Sequence, residues 1–240
     1  MARSEVKDAV ILAGGYGTRL AAHVPGVPKP LAPINGRPFL AYQLDWLEQE
    51  GIHRAAIASH YLADQIASFV SSWDSRNLSL ILVREDQPLG TGGAVKNALS
   101  EAGMEGATLV VNGDTSFDFE LSLLIDAYGE SEASIMVAVS EVSDVANYGA
   151  VDFDGTTIIG FRQTGGEHKP GIVSAGAYIV DPAAIYGWPA LVFSMEKDLM
   201  PAMAKNGQLR GFMLPNDCTF HDIGTPCAYD SFCHKKTLGS

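Results

Sequence analysis

No stretch of this chain reaches the roughly 18 consecutive apolar residues that a membrane-spanning helix needs. The apolar run in the opening MARSEVKDAVILAGG is also too short for the core of a secretory signal. The expectation is a soluble, cytoplasmic protein with no membrane partner. Basic residues are scarce, with 16 Lys and Arg against 28 Asp and Glu, a formal net charge of −12. That balance argues against a general nucleic-acid-binding surface. Anions must instead be held at a local site of backbone N–H groups, a few cations or a metal. Cysteine is rare: Cys218, Cys227 and Cys233 form no C-x-x-C pair, and an odd count fits reduced thiols in a reducing compartment. The spacing of Cys218, His221 and Cys227 matches no zinc pattern. Internal repeats, low-complexity linkers and a Ser/His/Asp or Cys/His constellation are all missing. His221 beside Asp222 reads as a strand histidine packed at the edge of a site rather than as a base.

What is present is a core. Of 240 residues, 47% are hydrophobic, enough to bury a sizeable interior. The first half alternates strand and helix signals. Strands are expected at Ala9 to Ala13, Arg54 to Ala58, Leu78 to Val83, Thr108 to Val111 and Ser134 to Val139. Helices are expected at Pro38 to Glu50, Ala63 to Val70, Thr91 to Leu99 (with Thr91 as N-cap) and Leu121 to Tyr128. Such alternation implies an α/β fold, Rossmann-like, with a mixed but mostly parallel sheet and helices on both faces. The second half reads differently. Tyr148 to Phe153 and Thr157 to Phe161 flank the turn Asp154-Gly155-Thr156, Ile172 to Val180 is another strand, and Glu196 to Lys205 a helix. Leu209 to Leu214 and Thr219 to Asp222 then close the chain as strands. A single domain over 1–240 is expected, with one part at about 1–140 and a second at about 141–240 that completes the sheet.

Ligands of such sheets bind outside the carboxyl ends of the strands, and the two marked loops, at Gly14 and Asn112, follow strand ends. Leu12-Ala13-Gly14-Gly15-Tyr16-Gly17-Thr18-Arg19-Leu20 is glycine-rich, which lets backbone N–H groups approach phosphate oxygens. Arg19 adds a positive fork for a triphosphate. The loop lacks the third glycine of the Rossmann fingerprint and the Gly-Lys-Ser/Thr of a P-loop NTPase. Val27-Pro28-Lys29-Pro30-Leu31 holds a lysine between two prolines that stiffen its backbone. A rigidly placed cation suits phosphoryl transfer. Asp114 follows the apolar Leu109-Val110-Val111, and Asp222 ends Thr219-Phe220-His221. Carboxylates at two strand ends can meet across one pocket, and Mg²⁺ prefers one or two carboxylates plus phosphate oxygens and water.

GGYGTRL followed by PKPL resembles the signature of the sugar-1-phosphate nucleotidyltransferases, the nucleotide-sugar pyrophosphorylases. The resemblance continues through Glu85-Asp86-Gln87-Pro88-Leu89-Gly90-Thr91-Gly92-Gly93-Ala94, Asn112-Gly113-Asp114, Asn147-Tyr148-Gly149, Ser194-Met195-Glu196-Lys197-Asp198 and Phe220-His221-Asp222-Ile223-Gly224-Thr225-Pro226. It spans nearly the whole chain in order. It implies a nucleotide-diphospho-sugar transferase fold. The nucleotide would be cradled by Leu12, Ala13, Gly14, Gly15, Gly17, Thr18, Gly90, Thr91 and Asn112, with backbone groups near Leu12 and Ala13 reading the base. Arg19 and Lys29 would hold the phosphates and, with Asp114, carry catalysis. Asp114 and Asp222 would hold Mg²⁺. Tyr148, Gly149, Gly176, Glu196 and Lys197 would line the sugar-phosphate site. One departure stands out: the Phe-x-Glu-Lys common in the family is replaced by Phe161-Arg162-Gln163-Thr164, so that either Arg162 or Lys169 substitutes or the acceptor is held differently.

The chemistry so implied is attack by a phosphate oxygen of a sugar 1-phosphate on the α-phosphorus of a nucleoside triphosphate, with pyrophosphate leaving in line. The nucleophile is already an anion, so no side-chain base is needed. PLGTGGA, SMEKD and FHDIGTP look most similar to the guanylyltransferases of D-glycero-α-D-manno-heptose 1-phosphate. Mannose 1-phosphate guanylyltransferases and N-acetylmuramate 1-phosphate uridylyltransferases are the alternatives. A non-catalytic nucleotide-sugar-binding subunit is the reading from another class. The presence of Arg19, Lys29, Asp114 and Asp222 together disfavours it. Homo-oligomerisation is left open.

Overall fold

The computed structural model describes residues 5–146, 148–163 and 168–238. The parallel heart of the sheet is built from four strands: β1 (Asp8–Leu12), β4 (Arg54–Ser59), β5 (Ser79–Arg84) and β6 (Thr108–Asn112). Their order is β6-β1-β4-β5 and every neighbour runs parallel. Buried on both faces, β1, β4 and β6 read as continuous apolar runs rather than as alternating ones. Within β1 the two faces serve different cores. Ala9 and Ile11 pack with α2 (Phe39–Gln49), α3 (Ala63–Ser72) and α5 (Leu121–Gly129), whereas Val10 packs with α4 (Gly90–Glu101).

The second half extends this sheet on the β6 side with the antiparallel strand β11 (Gly171–Val180), which also pairs with β8 (Ile135–Val142) and β9 (Gly149–Phe153). Beyond them lie β10 (Ile158–Gln163), on β9, and β12 (Leu209–Met213), parallel to β8. The result is one mixed nine-stranded sheet. The register of β11 shifts between Ser174 and Tyr178, around Gly176, whose φ is +80°. A glycine is required there for space as well. A Cβ would lie 2.8 Å from the Asn112 amide nitrogen.

Several elements depart from the sequence reading. The chain does not close on strands. It ends in α8 (Pro226–Leu238), with Tyr229 and Phe232 buried against Leu20, Ile34 and Phe39. The last strand, β13 (Thr219–Asp222), stands outside the main sheet and pairs antiparallel with β7 (Thr115–Asp118) as a two-stranded ribbon. Thr91 is not the N-cap of α4. It sits inside the first turn, where its hydroxyl is engaged across the chain, and Leu89 flanks the helix. The helix expected from Glu196 is a wide π turn, Met195–Leu199, that becomes α-helical only in α7 (Met200–Lys205). The remaining small elements are the helices α1 (Thr18–Ala21) and α6 (Pro182–Tyr186), a 3₁₀ turn at Lys29–Leu31, and the hairpin β2 (Pro33–Ile34)–β3 (Arg37–Pro38). No helix among the described residues is long and apolar enough to cross a membrane.

Candidate active site

A cavity of about 500 Å³ opens at the carboxyl ends of β1, β4, β5 and β6. Its floor is the glycine-rich loop. The loop leaves β1 with the Ala13 N–H donating to the Ala58 carbonyl at 2.8 Å, and turns at Gly17, in the left-handed region at φ +58°. A Cβ on Gly17 would lie 3.2 Å from the Lys29 Cβ, so the loop and the proline-flanked lysine are in close contact. Leu12, Ala13, Gly14, Gly15, Gly17, Thr18 and Arg19 all line the cavity, as do Gly90, Thr91 and Asn112.

Lys29 is the hub of the charged wall. Its side chain is 11% exposed, and its ammonium donates to the Asp114 carboxylate while standing 3.8 Å from Asp222 Oδ1. Asp114 is carried on the Gly113-Asp114 turn between β6 and β7. Its main-chain carbonyl accepts the Ile223 N–H at 2.9 Å, which ties that turn to the end of β13. The β7–β13 ribbon thus brings both aspartates to one point. Gly224 leaves the room: a Cβ there would sit 2.6 Å from Asp222 Oδ1 and 2.8 Å from Lys29 Nζ. The Asp222 carboxyl is pushed above the usual range by burial and then by the neighbouring Asp114 carboxylate. Lys29, the Gly224 N–H and Arg19 oppose the shift. The site therefore carries more negative charge than its lysine neutralises. Among the described residues no cluster of three or more His, Cys, Asp or Glu could hold a metal. Two hard carboxylates with further positions left to phosphate and water nevertheless fit a small divalent cation.

A Nucleotidyl transferase family model matches residues 8–237. The chain belongs to the nucleotidyl transferase family. It is 33% identical, over 94% of its length and 98% of the relative's, to a D-glycero-alpha-D-manno-heptose 1-phosphate guanylyltransferase of Campylobacter jejuni. The protein of the same name from Aneurinibacillus thermoaerophilus is 32% identical over 92% of this chain and 95% of its own. The crystal structure of HddC from Yersinia pseudotuberculosis complexed with GMP-PN superposes with a TM-score of 0.83 at 33% identity, covering 96% of this chain and all of that one.

Within this nucleotidyltransferase, Glu196 also faces the cavity. Its Oε2 accepts from the Thr91 hydroxyl at 2.8 Å and from the Ser194 hydroxyl at 2.9 Å. Thr91 Oγ1 in turn accepts the Met195 N–H at 2.8 Å. The buried Tyr178 hydroxyl approaches Glu196 Oε1 at 3.5 Å. Burial, then Glu196, pushes that phenol far up, so it stays a donor. Gly176 fits beside Asn112 and Thr115. Tyr148 is half-buried, its ring 5.7 Å from that of Phe220. Burial, then Asp222, raises its phenol against the pull of Arg19, so it stands near both. Gly149 opens β9 opposite Gln163. Lys197 is exposed and is not brought to the cavity wall; its N–H is tied to Ser194 Oγ at 3.2 Å. Asn147 and the segment 164–167 lie outside the described residues. Of the two substitutes for the missing Glu-Lys, Arg162 is paired with Asp152 at 2.7 Å across the β9–β10 hairpin. Lys169 offers its carbonyl to the Val145 N–H at 3.0 Å.

The sequence reading left out cavity residues that follow strand ends. His60 follows β4 and Glu85 follows β5, and His60 Nδ1 lies 3.0 Å from the Glu85 carbonyl. The rule that pointed to Gly14 and Asn112 applied equally to them. Glu85 is half-buried. Its Oε2 accepts the Leu89 N–H at 3.0 Å, while its Oε1 faces Gly14, whose Cβ would lie 3.3 Å away. Desolvation is the main reason its carboxyl is raised above its ordinary value. His221, by contrast, faces a second cavity of about 730 Å³, lined also by Ser116, Phe117 and Asp118 of the ribbon. There its Nε2 meets the Lys235 ammonium at 2.7 Å, and burial and that cation lower its affinity for a proton.

Proposed function

We propose that this nucleotidyltransferase moves a guanylyl group from GTP to D-glycero-α-D-manno-heptose 1-phosphate, giving the GDP-sugar and pyrophosphate in a Mg²⁺-dependent reaction. The observation that carries the reading is the Lys29 ammonium between the Asp114 and Asp222 carboxylates, against the glycine-rich loop. A phosphate oxygen of the sugar 1-phosphate forms the new bond to the α-phosphorus. The bond from that phosphorus to the β-phosphate oxygen breaks, and pyrophosphate departs with the electron pair. The loop N–H groups of Gly14, Gly15 and Gly17 orient the phosphates. Arg19 and Lys29 balance charge developing on the non-bridging oxygens. Asp114 and Asp222 would hold Mg²⁺, which when bound supplies further neutralisation of phosphate charge. Tyr148, Gly149, Gly176 and Glu196 are assigned to the sugar phosphate, and Lys197, exposed and off the cavity wall, is left out of that set. In this reading residues 1–140 form the nucleotide part of a single domain, and 141–240 the acceptor part. A cytoplasmic setting is supported by the three free cysteines.

The choice of guanine rests on Glu85 and on the two heptose 1-phosphate guanylyltransferases to which the chain is similar. Guanine presents N1–H and the 2-amino group side by side, a donor pair that matches a carboxylate. Uracil presents one N–H between two carbonyls, which a carboxylate repels. The test is pyrophosphate release with Mg²⁺, crossing GTP, UTP, dTTP, CTP and ATP with a panel of sugar 1-phosphates. Release with GTP and the manno-heptose is expected. Release with GTP and mannose 1-phosphate would keep the base and discard the sugar; release with UTP and N-acetylmuramate 1-phosphate would discard both. No release from folded protein that still binds GTP would favour a non-catalytic binding subunit.

A further inference from the structure

Gln43 occupies a place where an apolar side chain is expected. It lies on the buried stripe of α2 between Leu40, Leu44 and Leu47, and is only 2% exposed. Its amide nitrogen donates to two carbonyls at once, that of Asn112 at 2.8 Å and that of Thr115 at 2.6 Å. Those two carbonyls flank the Gly113-Asp114 turn. One NH₂ group therefore bridges the base of the turn that carries Asp114, using both of its protons. The amide oxygen has no hydrogen-bond partner among the described residues. Turning the amide over would set that oxygen against two carbonyls, so its orientation is dictated by the turn. A buried acceptor without a partner is a cost to stability that leucine or methionine would not incur. Its presence is explained by the bridge.

The turn is held from two other directions. The Gly113 N–H donates to the Leu12 carbonyl at 3.0 Å, and the Asp114 carbonyl accepts from Ile223. A Cβ on Gly113 would lie 2.5 Å from the Leu12 oxygen, so the turn is seated directly on the end of β1. The same helix also holds the far end of β7, where Trp46 Nε1 donates to the Phe119 carbonyl at 3.2 Å. β1, β13 and α2 thus converge on the main chain around one carboxylate. Only the α2 contact is made by a side chain that reaches across from another element.

We infer that Gln43 is a positioning residue that sets the Asp114 carboxylate for the metal-bound nucleotide, an inference that rests on the proposed role of Asp114 as a metal ligand. It touches neither substrate nor reacting atoms and acts through the turn. A carboxylate held by a braced backbone meets a small cation without reorganisation, and loss of such support weakens metal binding rather than abolishing it.

The test compares GTP affinity by calorimetry in EDTA and at saturating Mn²⁺, in the absence of sugar phosphate. The ratio of the two dissociation constants measures how much the metal contributes. Asp114→Ala should reduce the ratio to near unity. Gln43→Met should lower it by about 10-fold while leaving the affinity measured in EDTA unchanged. Leu99→Ala, which removes a buried side chain from the other face of the sheet, controls for general destabilisation and should leave the ratio unchanged. If Asp114→Ala keeps the wild-type ratio, the metal role of Asp114 itself is lost. If Asp114→Ala loses it and Gln43→Met matches Leu99→Ala, Gln43 is a packing residue and the inference is overturned. Should Gln43→Met fail to fold, Gln43→Asn is read in the same way, because its amide is one methylene too short to bridge both carbonyls.

Discussion

The two cavities meet the β7–β13 ribbon differently, the larger along Ser116, Phe117, Asp118 and His221 and the smaller only at Asp114 and Gly224 beside its ends, and they differ in what their charges do. The larger, of about 730 Å³, is walled by Tyr42, Trp46, Phe117, Phe119 and Phe232, and both of its lysines are already engaged. Lys235 meets His221 and Asp118, Lys236 lies over the Tyr42 and Phe232 rings, and Asp45 is held by Arg37. The smaller, of about 500 Å³, is lined by glycine backbone, by Lys29 and by Asp114, and the buried Lys29 ammonium stands between Asp114 and Asp222. Volume is a poor guide to which of them does chemistry. A buried cation drawn between carboxylates, beside main-chain donors, is the better one.

The comparison breaks most readily at Asp114. Asp114→Ala should lower turnover by about 10³-fold or more, with a melting temperature close to that of the wild type. Near-normal pyrophosphate release from that variant would remove the distinction between the cavities. Next comes lysine. Lys29→Met should reduce kcat by about 10²- to 10³-fold. Lys96→Ala, whose ammonium donates to the Trp188 carbonyl at 2.7 Å, should cost some stability and leave kcat within about threefold. Equal losses in the two variants would make Lys29 an ordinary structural charge.

Glu85→Gln sharpens the picture of the base-reading wall. It should weaken GTP binding by about 10-fold and narrow the preference for GTP over UTP, as measured by calorimetry. The wild-type carboxyl is raised above 4.5, chiefly by desolvation. GTP affinity measured without metal should therefore decline as pH falls through that raised value, earlier than for an exposed carboxylate, and the decline should be smaller in the variant. Stability should run the opposite way. The folded chain holds the Glu85 proton more tightly than the unfolded chain, so stability falls as pH rises from 4.5 through the folded value. Glu85→Gln should accordingly melt higher at neutral pH. The smallest effect is expected from the other cavity: His221→Ala should change turnover by no more than about twofold, and a large loss would give that cavity a part in the reaction.

Much of the sheet was readable because buried parallel strands are bare apolar runs, as in Ala9 to Leu12 and Leu109 to Val111, with no alternation to interpret. Other elements were harder. Thr219 to Asp222 was read as a strand, but its half-polar partner β7 was not, and α8 carries too little apolar patterning to announce itself. Thr91 misled because a threonine at a helix start has two uses, and here its hydroxyl serves Met195 and Glu196 instead of the helix end. Gln43 gave no local signal at all beyond being an amide on an apolar stripe.

The local rules therefore account for the glycine loop, the stiffened lysine and the aspartates at strand ends. Each follows from φ freedom, ring closure or a strand's end, properties that a few neighbouring residues possess by themselves. They do not account for Lys29 meeting a carboxylate 85 positions away, or for Gln43 bridging carbonyls about 70 positions on. Those contacts exist because the ribbon folds back beside β1 and α2 packs across its base. Only burial of the whole core makes it favourable to bring two carboxylates together around one ammonium.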